Sequence, residues 1–402
     1  MAEHNKVLPL AYRPKIFEDI TGNEKVAQIL KKSVASNNLK NAYFFAGERG
    51  CGKTSSARIF AKALLCKHTV DGNPCNQCPD CLDADAGKHP DLWEQDAASE
   101  NSVQSIRDLI NNLNYMPTSG KYKIIILDEC HSLSKDASNA LLKTLEEPPA
   151  YVKFIFCTTE PHKVLDTIRS RCLIFTYKSI QSRDIVKRLR FIADKENILI
   201  DDRALEFIAK YSNGGMRDAV MLLDQVSLIA GSDREIITQD VMDVVGFVSV
   251  KEIQDLFLKL KSGEPDEVIN WLEVNKFSPF DVISSSITFL ENLIFIKNGV
   301  SPSVFVSQDL IAPVMSLASM MSIEEITEVF NVFRDTVYDL RNLTGVNTST
   351  VFIFKMLNVF NILHSGGVKV AASGPVVVAT IDPFQRLKED FGLVRVPLAA
   401  II

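Results

Sequence analysis

The feature that most narrows what this chain can become is the run Gly47-Glu-Arg-Gly50-Cys-Gly52-Lys53-Thr54, which follows an apolar stretch at 42–46 and leads into helical spacing over 54–65. Glycines at 47, 50 and 52 let the backbone turn tightly enough for its N–H groups to converge on one phosphate. Lys53 reaches the outer phosphate oxygens, and the Thr54 hydroxyl, followed by Ser55 in the same turn, is placed for Mg²⁺. A strand feeding such a loop and helix belongs to a parallel sheet covered by helices. Read as eight residues alone, a Gly-rich turn without a ligand is the alternative.

The rest of the chain agrees with that architecture. β-branched and aromatic runs at 42–46, 91–96, 123–128, 152–158 and 173–177 alternate with helical segments. From Ser182 apolar residues recur at helical spacing (Ile185, Leu189, Ile192; Leu205, Ile208; Val220, Leu223, Val226), which predicts a small helical domain ending near Val245. A third region, 249–364, is also helical, with segments at 280–297 and 323–340. Its apolar share fits burial against other subunits as well as an ordinary bundle core. The expected fold is therefore α/β plus all-α. A P-loop domain spans 1–180, a helical lid 181–246 and a helical third domain 247–365, and a Gly-, Ala-, Val- and Pro-rich linker with a short peptide fills 366–402.

Lys and Arg number 44 against 50 Asp and Glu, a formal charge of −6. That balance argues against a chain that coats nucleic acid with its whole surface and leaves room for a local basic face. Residues 1–6 are polar, and no later apolar stretch reads as long enough to cross a bilayer, so a cytoplasmic location is expected. In that reducing setting eight cysteines do not read as a disulfide framework.

Two further motifs carry chemistry. Ile124-Ile-Ile-Leu127-Asp128-Glu129 is an apolar strand ending in two carboxylates. Behind a P-loop, Asp128 would hold Mg²⁺ through water and Glu129 would orient and polarise the attacking water. Cys66, Cys75, Cys78 and Cys81 supply four thiolates with two tight x2 turns, the pattern of a closed structural zinc site. His68 then reads as a bystander, and redox-active cysteines are the alternative. Cys51, Cys130, Cys157 and Cys172 read as packing residues.

Taken together, these residues resemble the gamma/tau subunit family of bacterial DNA polymerase III, the AAA+ motor of the sliding-clamp loader, over residues 7–360. Leu10-Ala-Tyr12-Arg13-Pro14 with Phe17-Glu-Asp-Ile-Thr-Gly22 is similar to the family's adenine-side segment, and the cysteine excursion after the P-loop helix is its signature. Leu141-Leu-Lys143-Thr-Leu-Glu-Glu-Pro-Pro149 also matches. The resemblance implies that Thr159 is sensor 1, that Arg171 in Ser170-Arg-Cys172 is an arginine finger reaching a neighbour's site, and that Arg217 in Gly214-Gly-Met-Arg-Asp-Ala219 is sensor 2. By residue type alone Arg171 is a solvated surface arginine and Arg217 a helix-start arginine paired with Asp218.

The same resemblance implies ATP, Mg²⁺ and Zn²⁺ as cofactors, and delta- and delta-prime-type subunits, a beta-type clamp, primed DNA and further copies of the chain as partners. The chain would hydrolyse ATP within a polymerase holoenzyme without itself polymerising. DNA phosphate contacts would fall on Arg107 and Lys143, although Glu100-Asn101-Ser102 places an acid where relatives often carry bases. The chain ends too soon for the extra domains of the longer tau form. Phe384, Leu387 and Phe391 in its tail would share one helical face as a docking peptide. A scaffold subunit that has lost hydrolysis is disfavoured by the intact Lys53, Thr54, Asp128, Glu129 and Arg217. A Holliday-junction motor is disfavoured by the cysteine excursion and by the lack of strands in 249–364.

Overall fold

The structure is a computed structural model that describes residues 7–230, 234–275, 277–302, 311–342 and 348–364. The chain divides into two compact units, Met1–Phe247 and Val248–Ile402. In chain order the first begins with α1 (Leu8–Ala11), α2 (Glu24–Ala35), β1 (Ala42–Gly47), α3 (Lys53–Leu65), α4 (Pro79–Asp85) and β2 (Leu92–Asp96). It continues through α5 (Val103–Asn112), β3 (Lys123–Asp128), α6 (Lys135–Glu146), β4 (Val152–Thr158), α7 (Asp166–Arg169) and β5 (Leu173–Tyr177). Four more helices follow, α8 (Ser182–Glu196), α9 (Asp202–Tyr211), α10 (Met216–Ala230) and α11 (Thr238–Val245).

The strands are all parallel, in the order β2-β3-β4-β1-β5. β3 and β4 are buried at nearly every position, as strands covered on both faces must be. The two-residue period sorts their side chains. Tyr43, Phe45, Ile124, Ile126, Ile155 and Cys157 pack under α2 and α3, while Phe44, Ile125, Leu127, Phe154 and Phe156 meet Ile106 and Leu109 of α5 and Leu141 and Leu145 of α6. Cys51, Cys130 and Cys157 are buried and Cys172 half-buried, in keeping with packing roles.

The five expected strands form within one residue of their expected bounds. β2 starts late because the Asp91 carboxylate binds the N–H groups of Thr118, Ser119 and Gly120 at 2.7, 2.7 and 3.1 Å. Register sets Ala46 beside Thr158 and Asp96 beside Asp128, so the carboxyl ends of the central strands meet at one edge, where open α/β sheets take their ligands. In α8 to α10, the periodic residues from Ile185 to Val226 form one core.

The second unit holds α12 (Val250–Ser262), α13 (Pro265–Asn275), α14 (Pro279–Lys297), α15 (Ile311–Met320), α16 (Ile323–Asn342) and α17 (Thr348–His364) around Phe257, Phe289 and Phe333. It has no strand among its described residues. One expectation is corrected here: α14 is long and apolar enough, by length and composition, to cross a bilayer. Its buried side, Val282, Ile283, Phe289, Leu290 and Leu293, lies in the core of its own unit. Phe384, Leu387 and Phe391 lie outside the described residues.

Candidate functional site

The loop between β1 and α3 sits at the carboxyl edge of the sheet. Gly52 is left-handed, with φ +100°, and forms the N-cap of α3. Gly50, also left-handed, passes so close to the lid that an added Cβ would stand 2.8 Å from the Gly215 Cα. There the Met216 N–H, at the start of α10, donates to the Gly50 carbonyl (3.1 Å).

Lys53 is 5% exposed and its ammonium donates to the carbonyls of Gly47 (2.9 Å) and Glu48 (2.7 Å). The Thr54 hydroxyl donates to Asp128 Oδ2 (2.7 Å), joining the first turn of α3 to the end of β3. Burial pushes the Asp128 carboxyl above its ordinary value, against the pull of the Thr54 hydroxyl and the Glu129 N–H. Glu129 is left-handed at φ 45°, an uncommon conformation for a side-chain-bearing residue at a strand end. Its Oε2 accepts from the Thr159 hydroxyl (3.1 Å) and N–H (3.3 Å) at the end of β4.

Lys53, Thr54, Asp128, Glu129 and Thr159 are thus brought together, with Ser55 half-buried in the first turn of α3. Arg217 is exposed in the first turn of α10. Burial, with the nearby charges of Arg58 and Arg217, lowers the Arg13 pKa. Tyr12 turns instead toward the lid, where its hydroxyl donates to Glu196 (2.5 Å) and burial pushes its pKa up to about 12.

Arg171 is not at this edge. It precedes β5, donates to Glu146 Oε1 (2.6 Å) and the Thr167 carbonyl (2.7 Å), and lines a cavity of about 370 Å³ with Lys40, Asn41 and Leu173, at the amino-terminal ends of β1 and β5. Arg107 and Lys143 are exposed on α5 and α6, with Glu100 exposed nearby. Sequence reading missed Arg58, whose Nε reaches both Glu94 oxygens (2.7 and 2.9 Å). The signal was there, because Arg58 lies four residues after Thr54 on one face of α3. It also gave no role to His131, whose Nδ1 lies 3.0 Å from the Thr158 hydroxyl and 3.4 Å from Glu129 Oε2.

The four cysteine sulfurs lie within 4.8 Å of one another, with Cys66 to Cys78 and Cys75 to Cys81 both 3.9 Å apart. Zn–S bonds of about 2.3 Å in a tetrahedron require edges of roughly 3.8 Å, so the donor set fits zinc. N–H groups of Gln77 and Cys78 aimed at its sulfur pull the Cys75 thiol down to about 6, which favours the ligating thiolate. Burial pushes Cys66 and Cys81 up, a cost that a bound dication offsets. His68 is exposed. Asp80 ties the module to the body by accepting from Ser119 Oγ (2.6 Å). Cys81→Ser is expected to lose bound metal and lower Tm by about 10 °C, from roughly 3 kcal/mol of lost linkage at roughly 3 °C per kcal/mol. Stoichiometric zinc in that variant, measured by mass spectrometry, would contradict the assignment.

Residues 22–181 match the family model described as DNA polymerase III, delta subunit, and residues 184–232 match the DNA polymerase III clamp loader subunit, ATPase lid domain. Over these residues the chain belongs to the DNA polymerase III clamp-loader family. Within it, the tau/gamma subunit of Haemophilus influenzae is 41% identical over 268 residues, covering 67% of this chain and 39% of the relative. The Bacillus subtilis tau subunit is 40% identical over 291 residues, covering 72% and 51%. The chain spans about half or less of the length of these clamp-loader relatives. Among solved structures, the Thermotoga maritima RuvB branch-migration motor matches at 17% identity and a TM-score of 0.44, covering 77% of this chain and 92% of that one.

Proposed function

We propose that this chain is the ATP-hydrolysing motor subunit of a DNA polymerase III clamp loader, opening a sliding clamp and placing it on primed DNA. The observation that carries the reading is the continuous polar connection Thr54–Asp128–Glu129–Thr159 beside Lys53, in a family member that also holds a four-cysteine module.

In this reading the N–H groups of the loop and the Lys53 ammonium hold the phosphates of ATP, while Tyr12 and Arg13 lie on the adenine side. Thr54 and Asp128 would hold Mg²⁺, which when bound neutralises charge on the phosphate oxygens. Glu129, anchored by Thr159, orients a water and takes its proton as the water attacks the outer phosphorus, while the bond from that phosphorus to the bridging oxygen breaks and ADP leaves with the electron pair. Arg217 contacts the same phosphate from the lid. Cys66, Cys75, Cys78 and Cys81 hold structural zinc. Arg171 completes the site of a neighbouring subunit, and its place at the opposite edge of the sheet supports a role in trans.

Residues 247–365 join subunits into a ring with delta- and delta-prime-type partners and further copies of the chain. Arg107 and Lys143 meet DNA phosphates, and the complex works in the cytoplasm. The deciding measurement is the ATPase rate with and without the matching clamp and primed DNA; a rate indifferent to both would overturn the reading. Glu129→Gln is expected to lower turnover about a hundredfold while ATP still binds. Turnover near the wild-type rate would remove Glu129 from this role.

A further inference from the structure

Asn23 occupies the N-cap of α2, where an asparagine side chain ordinarily accepts from the first turn of its own helix. Here it makes no such bond. The side chain is 6% exposed and turned inward. Its Nδ2 donates to the Cys51 carbonyl in the phosphate loop (3.2 Å) and to the Lys178 carbonyl (2.9 Å), while its Oδ1 accepts the Lys178 N–H (2.9 Å). Both amide hydrogens are used, and the O and N assignment follows from the partners, two carbonyls on one side and an N–H on the other.

Lys178 belongs to the four-residue connection, 178–181, between β5 and α8. Its neighbour Ser179 donates to Glu48 of the loop (2.5 Å), and the Ile180 N–H donates to the Gly214 carbonyl, one turn before Arg217 (3.2 Å). The connection is packed from both sides. A Cβ at Gly22 would stand 2.9 Å from the Ile180 side chain, and one at Gly214 would stand 2.8 Å from the Ser179 Cβ. Among the described residues, Asn23 is the side chain that bonds both Cys51 and Lys178.

We propose that Asn23 is a positioning residue that couples nucleotide occupancy of the loop to the angle of the lid, by clamping the Cys51 carbonyl and both backbone polar groups of Lys178 in one three-bond unit. It touches no phosphate itself. When the loop tightens around phosphate the Cys51 peptide moves, the amide carries Lys178 with it, and the connection that aims Arg217 shifts. Only a short side chain with two donors and an acceptor makes all three bonds. Aspartate has the shape but puts an anion against two carbonyls, and leucine has neither donor nor acceptor.

This inference rests on the nucleotide reading of Gly47 to Thr54, so the test separates the two. In the full wild-type chain, ATP is expected to slow hydrogen exchange at the Lys178 amide at least fivefold. In Asn23→Asp that protection is lost and ATP affinity falls about tenfold or more, from unmade bonds to buried carbonyls, while zinc content stays stoichiometric. A merely structural Asn23 would lower Tm without changing how Lys178 exchange responds to ATP. If wild-type chain binds ATP and Lys178 exchange does not respond, the proposal is overturned, whether or not the variant folds. Asn23→Asp that keeps both affinity and protection overturns it too. Failure of the wild-type chain to bind ATP at all would instead remove the nucleotide reading.

Discussion

Replacing Arg171 with alanine is expected to lower the DNA-stimulated ATPase rate of the assembled ring by about a thousandfold, the scale of a lost arginine finger. ATP affinity of the isolated chain should change less than twofold. The argument is positional. β1 and β5 are parallel and paired from Tyr43 with Leu173 to Gly47 with Tyr177. At about 3.3 Å per residue, the start of β5 is set back roughly 13 Å from the level of the phosphate loop, with Arg171 two residues earlier still. A side chain so placed cannot serve its own loop through the sheet. Its bond to Glu146 does not commit it, because both partners are substantially exposed (33% and 53%) and such pairs contribute at most about 1 kcal/mol. A docking neighbour can displace Glu146 with a more highly charged phosphate. A normal rate in the assembled ring would refute the assignment, and a weakened ATP affinity in the isolated chain would move Arg171 to its own site.

The second large effect concerns Lys53. Lys53→Ala is expected to weaken ATP binding more than a hundredfold and to remove clamp loading with it, since a buried ammonium facing phosphate makes charge-assisted bonds that nothing else in the loop replaces. Gly47 is half-buried and Glu48 exposed, so water can reach the carbonyls that Lys53 now satisfies and the fold should survive. Unchanged zinc content and Tm would confirm that survival, and calorimetric titration with ATP would read the binding. Retained DNA-stimulated turnover in this variant would sink the whole site.

How far the sequence carried depends on whether a residue acts through its neighbours in the chain or in space. β3 and β4 were legible because a parallel strand covered on both faces must be apolar throughout. The tight loop between β1 and α3 was legible because backbone curvature demands glycine at fixed positions. The four cysteines were legible because metal geometry restricts spacing. Asn23 was not, since its partners are 28 and 155 residues away and an asparagine before a helix already has a sufficient local explanation. His131 and Arg58 are likewise defined by Thr158 and Glu94, which only the folded sheet brings near. The apolar length of α14 was legible and was misjudged, since its length and composition alone are enough to cross a bilayer.

The bare contact between Gly50 and Gly215 has a mechanical meaning. Where two elements meet through side chains, small displacements are absorbed as rotamers hop, and the coupling has backlash. Here backbone meets backbone, secured by one peptide hydrogen bond from Met216 to Gly50, with no side chain to take up the play. A shift of a few tenths of an ångström in the loop is handed undiminished to the first turn of α10. A residue larger than glycine at position 50 would not loosen this joint but jack it open, since its Cβ would stand 2.8 Å from the Gly215 Cα.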